Sequence, residues 1–108
     1  MRAEVEMVAH GQSGVAHYRE GPHFQTFQWE FGGGDVIVSI YVPGPAEWHA
    51  AVPWAAGRRD EVVHRLARAV ARQQFPPGRI EIHERWVNIC EPRPPWRVVG
   101  DWLKRLLG

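Results

Sequence analysis

Between Arg58 and Phe75 the apolar positions fall at helical spacing. Val62, Leu66 and Val70 recur every four residues, and Val63 and Ala69 widen the stripe. Glu61, Arg65, Arg68 and Arg72 share a polar face, with Glu61 and Arg65 as a favourable pair one turn apart. This spacing predicts one long amphipathic helix over 58–75. Asp60 or Gly57 is placed to cap it, and Asp60 and Glu61 suit its positive end. Pro76-Pro77-Gly78 stops it.

Before the helix, the period changes from four to two. Glu4 and Glu6 alternate with Val5 and Met7, which predicts a half-buried strand over Arg2–Val8. A glycine-rich turn at 10–14 leads to a second strand, Val15–Arg19, and Gly21-Pro22 breaks the chain again. Phe24–Phe31 and Asp35–Val42 form the strongest strand pair. Pairing across a Gly33-Gly34 turn sets Phe31 against Val36, Trp29 against Val38 and Phe27 against Ile40. The other face then carries Gln28, Glu30, Ile37, Ser39 and Tyr41. That mixed set is left for another element or a partner.

After the helix, Ile80 and Ile82 alternate in one phase and Val87 and Ile89 in the opposite phase. A β-bulge within one strand over 79–91 restores the facing. A hairpin turning at Glu84-Arg85 is the alternative, though neither residue favours positive φ. Beyond the stiff stretch Pro92–Pro95, the spacing predicts a short amphipathic helix over 96–107. Trp96, Val99, Trp102, Leu103 and Leu106 are its candidate interface residues. The expected fold is therefore α+β: an antiparallel sheet of about five strands on one long helix, in chain order β-β-β-β-α-β-α, as a single domain over 1–108.

Composition narrows the function classes. A hydrophobic share of 44% in 108 residues supports a core without a stabilising metal or disulfide. The single cysteine, Cys90, has no partner for an internal disulfide, which fits a reducing, cytoplasmic setting. Met1-Arg2-Ala3-Glu4 lacks the apolar run of a signal peptide, and no stretch is long enough to span a bilayer. The net charge is +1, but residues 1–57 carry −4 and the remainder +5. All but one of the 13 basic residues are arginine.

No strong catalytic or metal motif accompanies these elements. Six histidines are scattered without the short Cys or His pairs of a zinc site, so neither metal nor cofactor is expected. A Cys90–histidine pair lacks the exposed elbow that a nucleophile needs. The connection 43–57 is richer. Three prolines, two glycines and two tryptophans bring Trp48, His49, Trp54, Arg58 and Arg59 toward the start of the long helix. Free N–H groups there favour an anion, and the arginines could grip a carboxylate or phosphate. The simpler alternative is that the tryptophans cover the core and the arginines are solvated.

Three functions follow as expectations. The first is a non-catalytic interaction module that self-associates or binds a protein, suggested by six tryptophans and many arginines. The second is a nucleic-acid or anionic-ligand binder using Arg58, Arg59, Arg65, Arg68 and Arg72 on the long helix; the acidic first half opposes a polyanion. The third is a small enzyme with His49 or His64 as acid or base. It requires a pocket with a polar group beside one of them.

Overall fold

The structure is a computed structural model that describes residues 3–74 and 78–92. It is α+β, with six antiparallel strands in one sheet and two α-helices. The strands are β1 (Ala3–His10), β2 (Ser13–Glu20), β3 (His23–Phe31), β4 (Val36–Tyr41), β5 (Arg79–Ile82) and β6 (Trp86–Cys90). Helix α1 (Pro45–Ala51) and a 3-10 turn (Pro53–Ala55) precede the long helix α2 (Arg59–Gln74). Strand order is β1-β2-β3-β4-β6-β5. Among the described residues no helix is long and apolar enough to cross a membrane. The predicted helix over 96–107, with Trp96, Val99, Trp102, Leu103 and Leu106, lies outside the described residues.

The first four strands form a meander with tight turns. Gly11 and Gly21 adopt φ of 69° and 59° in the two-residue links after β1 and β2. Both strands run longer than the alternation predicted, because the turns consume only two residues each. Gly14 has a different duty. A β-carbon there would lie 2.0 Å from the Val8 carbonyl oxygen and 2.7 Å from the Trp29 ring. The missing side chain lets the Trp29 indole lie flat over β2.

Two sequence expectations are corrected. The β3–β4 register is shifted by two residues: Trp29 faces Ile40 and Phe31 faces Val38. Gly32 stays in the ladder, its N–H donating to the Ile37 carbonyl, and the turn spans Gly33–Val36 with Gly34 at φ 63°. Contacts remote in sequence hold Asp35 in that turn. Its carboxylate accepts from Arg79 at 2.9 Å and its carbonyl from the Glu91 N–H at 2.8 Å. A shift of two keeps the same side chains facing inward, so the predicted apolar face survives. The single bulged strand over 79–91 is also replaced, by a hairpin of β5 and β6 turning at Glu84-Arg85. The sheet therefore has six strands, in chain order β-β-β-β-α-α-β-β over the described residues. Among the described residues no non-glycine residue has positive φ, so this turn closes without the conformation that counted against it. The opposite phases of Ile80, Ile82 and Val87, Ile89 are what a two-residue hairpin produces: Ile80 faces Ile89 and Ile82 faces Val87.

Helix α2 buries Val62, Val63, Leu66, Ala67, Val70 and Ala71. Ala69, expected within the stripe, is only half-buried. The helix packs against β1 at one edge of the sheet and against β5 and β6 at the other. A helix laid across a flat sheet would approach its middle strands at least as closely as its edges; α2 approaches β1, β5 and β6 more closely than β2, β3 or β4, so the sheet curls around it. Tyr18, Phe27, Trp29 and Trp48 belong to the core enclosed within that curve. At the free edge of β1, the Gln73 amide donates to the Val5 carbonyl at 2.7 Å. That side chain occupies part of the edge and opposes pairing with another strand.

Gly14→Ala should overpack this corner, lowering stability by about 2 kcal/mol. A fall in the urea midpoint at unchanged slope is the expected reading.

Candidate functional site

The Trp-rich connection does build a concavity. A hollow of about 600 Å³ is lined by Pro45, Trp48, His49, Gly57, Arg58, Arg59, Asp60 and Glu61. Pro45 opens α1 at its first turn, and Gly57, at φ 77°, turns the chain into α2. The first helical bond of α2 runs from the Val62 N–H to the Arg58 carbonyl, so neither Gly57 nor Asp60 is the residue that opens the helix.

The side chains there are already committed. Trp48 is buried, stacks on Phe27 and donates its Nε1–H to the Ala55 carbonyl at 3.0 Å. It is a core residue that also walls the hollow. Trp54 is not part of the hollow. It stacks on His23, with ring centroids 4.9 Å apart, and on Tyr18. Arg59 donates to the Pro43 and Glu84 carbonyls and thereby ties the β4–α1 link to the β5–β6 turn. Arg85 adds an exposed ion pair to Glu47 at 3.1 Å across the same gap. His49 is exposed and has no hydrogen-bond partner among the described residues.

Arg58 belongs to a charge cluster that the sequence reading missed. Glu20, at the end of β2, is almost fully buried. It accepts from the Tyr18 hydroxyl at 2.8 Å and from Arg58 Nη2 at 2.5 Å, and Arg65 Nη1 lies 3.3 Å away. Glu61 joins both arginines, accepting from Arg58 Nε at 2.6 Å and pairing with Arg65 Nη2 at 2.9 Å. Burial acts to raise the Glu20 carboxyl. The Arg58 and Tyr18 hydrogen bonds and the charges of Arg58 and Arg65 outweigh it and hold the group below the usual carboxylate range. Burial, followed by the Glu20 bond, pushes the Tyr18 phenol up to about 12. This cluster locks the first turns of α2 to β2. Its signal in the sequence was an acid in phase with the inward-facing Ala16 and Tyr18.

The scattered histidines do not gather either. His17 stacks on Phe24 and His23 on Trp54. His64 bonds the Asp60 carbonyl, one turn back on its own helix. Among the described residues neither His49 nor His64 has a side-chain partner to orient it. Cys90 is buried, and burial pushes its thiol up, away from the thiolate form. Among the described residues no group of three possible ligands is placed to hold a metal ion. Arg68 and Arg72 extend the basic face of α2 beyond Arg65 and make no ion pair among the described residues.

The outward face of the sheet carries a second concavity. Val8, Val15 and Gln28 face one another across β1 to β3, and Tyr41 faces Trp86 across β4 and β6. His83 stacks on Trp86 with centroids 5.0 Å apart. Tyr41 and Trp86 are 46% and 40% exposed, high values for aromatics in adjacent strands. Beside them lies a hollow of about 370 Å³ lined by His10, Ser13, Gly14, Val15, Gln28, Trp29, Glu30 and Tyr41. The Tyr41 hydroxyl donates to Glu30 at its rim.

Comparison with protein-family models, curated proteins and solved structures gives no match.

The cluster makes a pH prediction. Because the folded Glu20 carboxyl lies below its ordinary value of 4.5, the unfolded chain binds its proton first as pH falls. Stability from this group is complete above the unfolded value and is lost below about 4.5, as pH drops through the folded one. Glu20→Gln should cost about 2 kcal/mol at neutral pH, after allowance for the partial exposure of its arginine partners. Thermal melts should show the gap between variant and wild type closing below about pH 4.

Proposed function

We propose that this chain is a non-catalytic interaction module that self-associates through the outward face of its sheet. The observation that carries the reading is the pairing of an exposed knob with a hollow on one surface. Trp86 stands on β6, and the hollow beside Gln28 and Val15 is centred on β2 and β3. A two-fold axis along the strands, near the middle of the sheet, carries β6 of one copy over β2 and β3 of the other. Tyr41, the cross-strand partner of Trp86, lines the hollow together with Gln28, so each Trp86 lies level with its partner's hollow. An indole side chain fits within about 370 Å³.

The two-fold axis makes the contact isologous, each copy contributing one Trp86 and one hollow. The curl of the sheet makes the face convex, which confines close contact to its middle rows. Such a small interface belongs to the weak, reversible class.

Light scattering should show a concentration-dependent rise from the chain mass to twice that mass, with a midpoint of about 10–100 μM. Trp86→Glu places a charge in the hollow, and Gln28→Trp fills it. Each should leave a monomer with an unchanged circular dichroism spectrum. A wild type that stays monomeric at about 1 mM, or a dimer indifferent to both substitutions, sinks this reading.

A further inference from the structure

We propose that a groove between α2 and the start of β1 binds a compact ligand carrying two or more phosphoryl groups. The groove has a volume of about 500 Å³ and is lined by Ala3, Arg65, Arg68, Ala69 and Arg72. Among the described residues no acidic side chain lines it. The small residues Ala3 and Ala69 leave the concavity open between the guanidinium groups.

The arginines of α2 are divided by what they already hold. Arg58 and Arg59 are saturated by Glu20, Glu61 and backbone carbonyls. Arg65 pairs with Glu61, and its Nη1, 3.3 Å from Glu20, is buried and lacks hydrogen-bond geometry to any of the described residues. Arg68 and Arg72 are exposed and have no ion pair or hydrogen bond among the described residues. Glu20 and Glu61 are consumed by Arg58 and Arg65, so positive charge accumulates along the groove.

Spacing selects the ligand class. Arg68 and Arg72 stand one turn apart, roughly 6 Å along the axis, and Arg65 extends the row to roughly 10 Å. One phosphate bridges Arg68 and Arg72 through paired N–H donors, and a chain of phosphoryl groups reaches on into the field of Arg65, whose Nη1 is buried and whose Nη2 is held by Glu61. An extended nucleic acid fits less well. It would continue past the groove toward Glu61 at one end and the outward Glu4 and Glu6 of β1.

The test uses the full chain at low salt, titrated calorimetrically with orthophosphate, pyrophosphate and tripolyphosphate. Affinity should rise along that series, with tripolyphosphate at least about tenfold tighter than orthophosphate. Arg68→Ala and Arg72→Ala should each weaken tripolyphosphate about tenfold, while Arg19→Ala, on the outward face, stays within about twofold. Both α2 positions are exposed, so melting curves should not move. Absence of tripolyphosphate binding overturns the proposal, as does an equal loss in Arg19→Ala, which would mark diffuse attraction. Tighter binding of a single-stranded oligothymidine than of tripolyphosphate also overturns it, in favour of an extended polyanion. None of these residues lies in the aromatic row of the outward face, so failure here leaves the self-association reading standing.

Discussion

One helix reaching both edges of a six-stranded sheet is the constraint on which the rest depends. The apolar stripe of α2 is satisfied only where β1, β5 and β6 meet it together. The sheet must curl to allow this, and the curl fixes two consequences. Large aromatics from β2, β3 and α1 must fill the space beneath the middle strands. The outward face becomes convex, so its aromatics stand proud as knobs and do not form a flat apolar plane.

The polar layer is organised around the same helix. Its first turns are clamped by a nearly buried carboxylate, Glu20, shared between Arg58 and Arg65. A buried charge survives there because three donors approach it, and removing any one leaves the others poorly matched. Arg59 performs a neutral version of the same task by holding two backbone carbonyls. Structural work thus absorbs the arginines at the start of α2 and releases those further along. The concavity at the helix start is formed as its sequence suggested, but its guanidiniums are occupied. The unoccupied ones line a different groove.

Local pattern made much of the fold legible. The period of four over 58–75 and the period of two before it assigned α2 and the first four strands within a few residues, because each side chain repeats on one face of a regular element. The phase reversal after His83 was equally visible, yet it has two solutions, a bulge or a hairpin. Only the available place beside β4 selects the hairpin. The β3–β4 register failed for a similar reason. Glycines permit several turns, and the hold of Arg79 and Glu91 on Asp35 comes from residues more than forty positions away.

The candidate site divides along the same line. Trp48, His49, Arg58 and Arg59 do converge, since α1 and the 3-10 turn fold the connection back onto the start of α2. Trp54 departs to stack on His23. The sequence by itself determined the element types, the inward faces and the basic stripe, because these depend on spacing within one segment. Only the tertiary structure decided which arginines are spent, that Glu20 is buried, and that Trp86 stands in one row with Tyr41. Those outcomes depend on pairing between strands and on charges brought together across the curl, and no single stretch of chain encodes either.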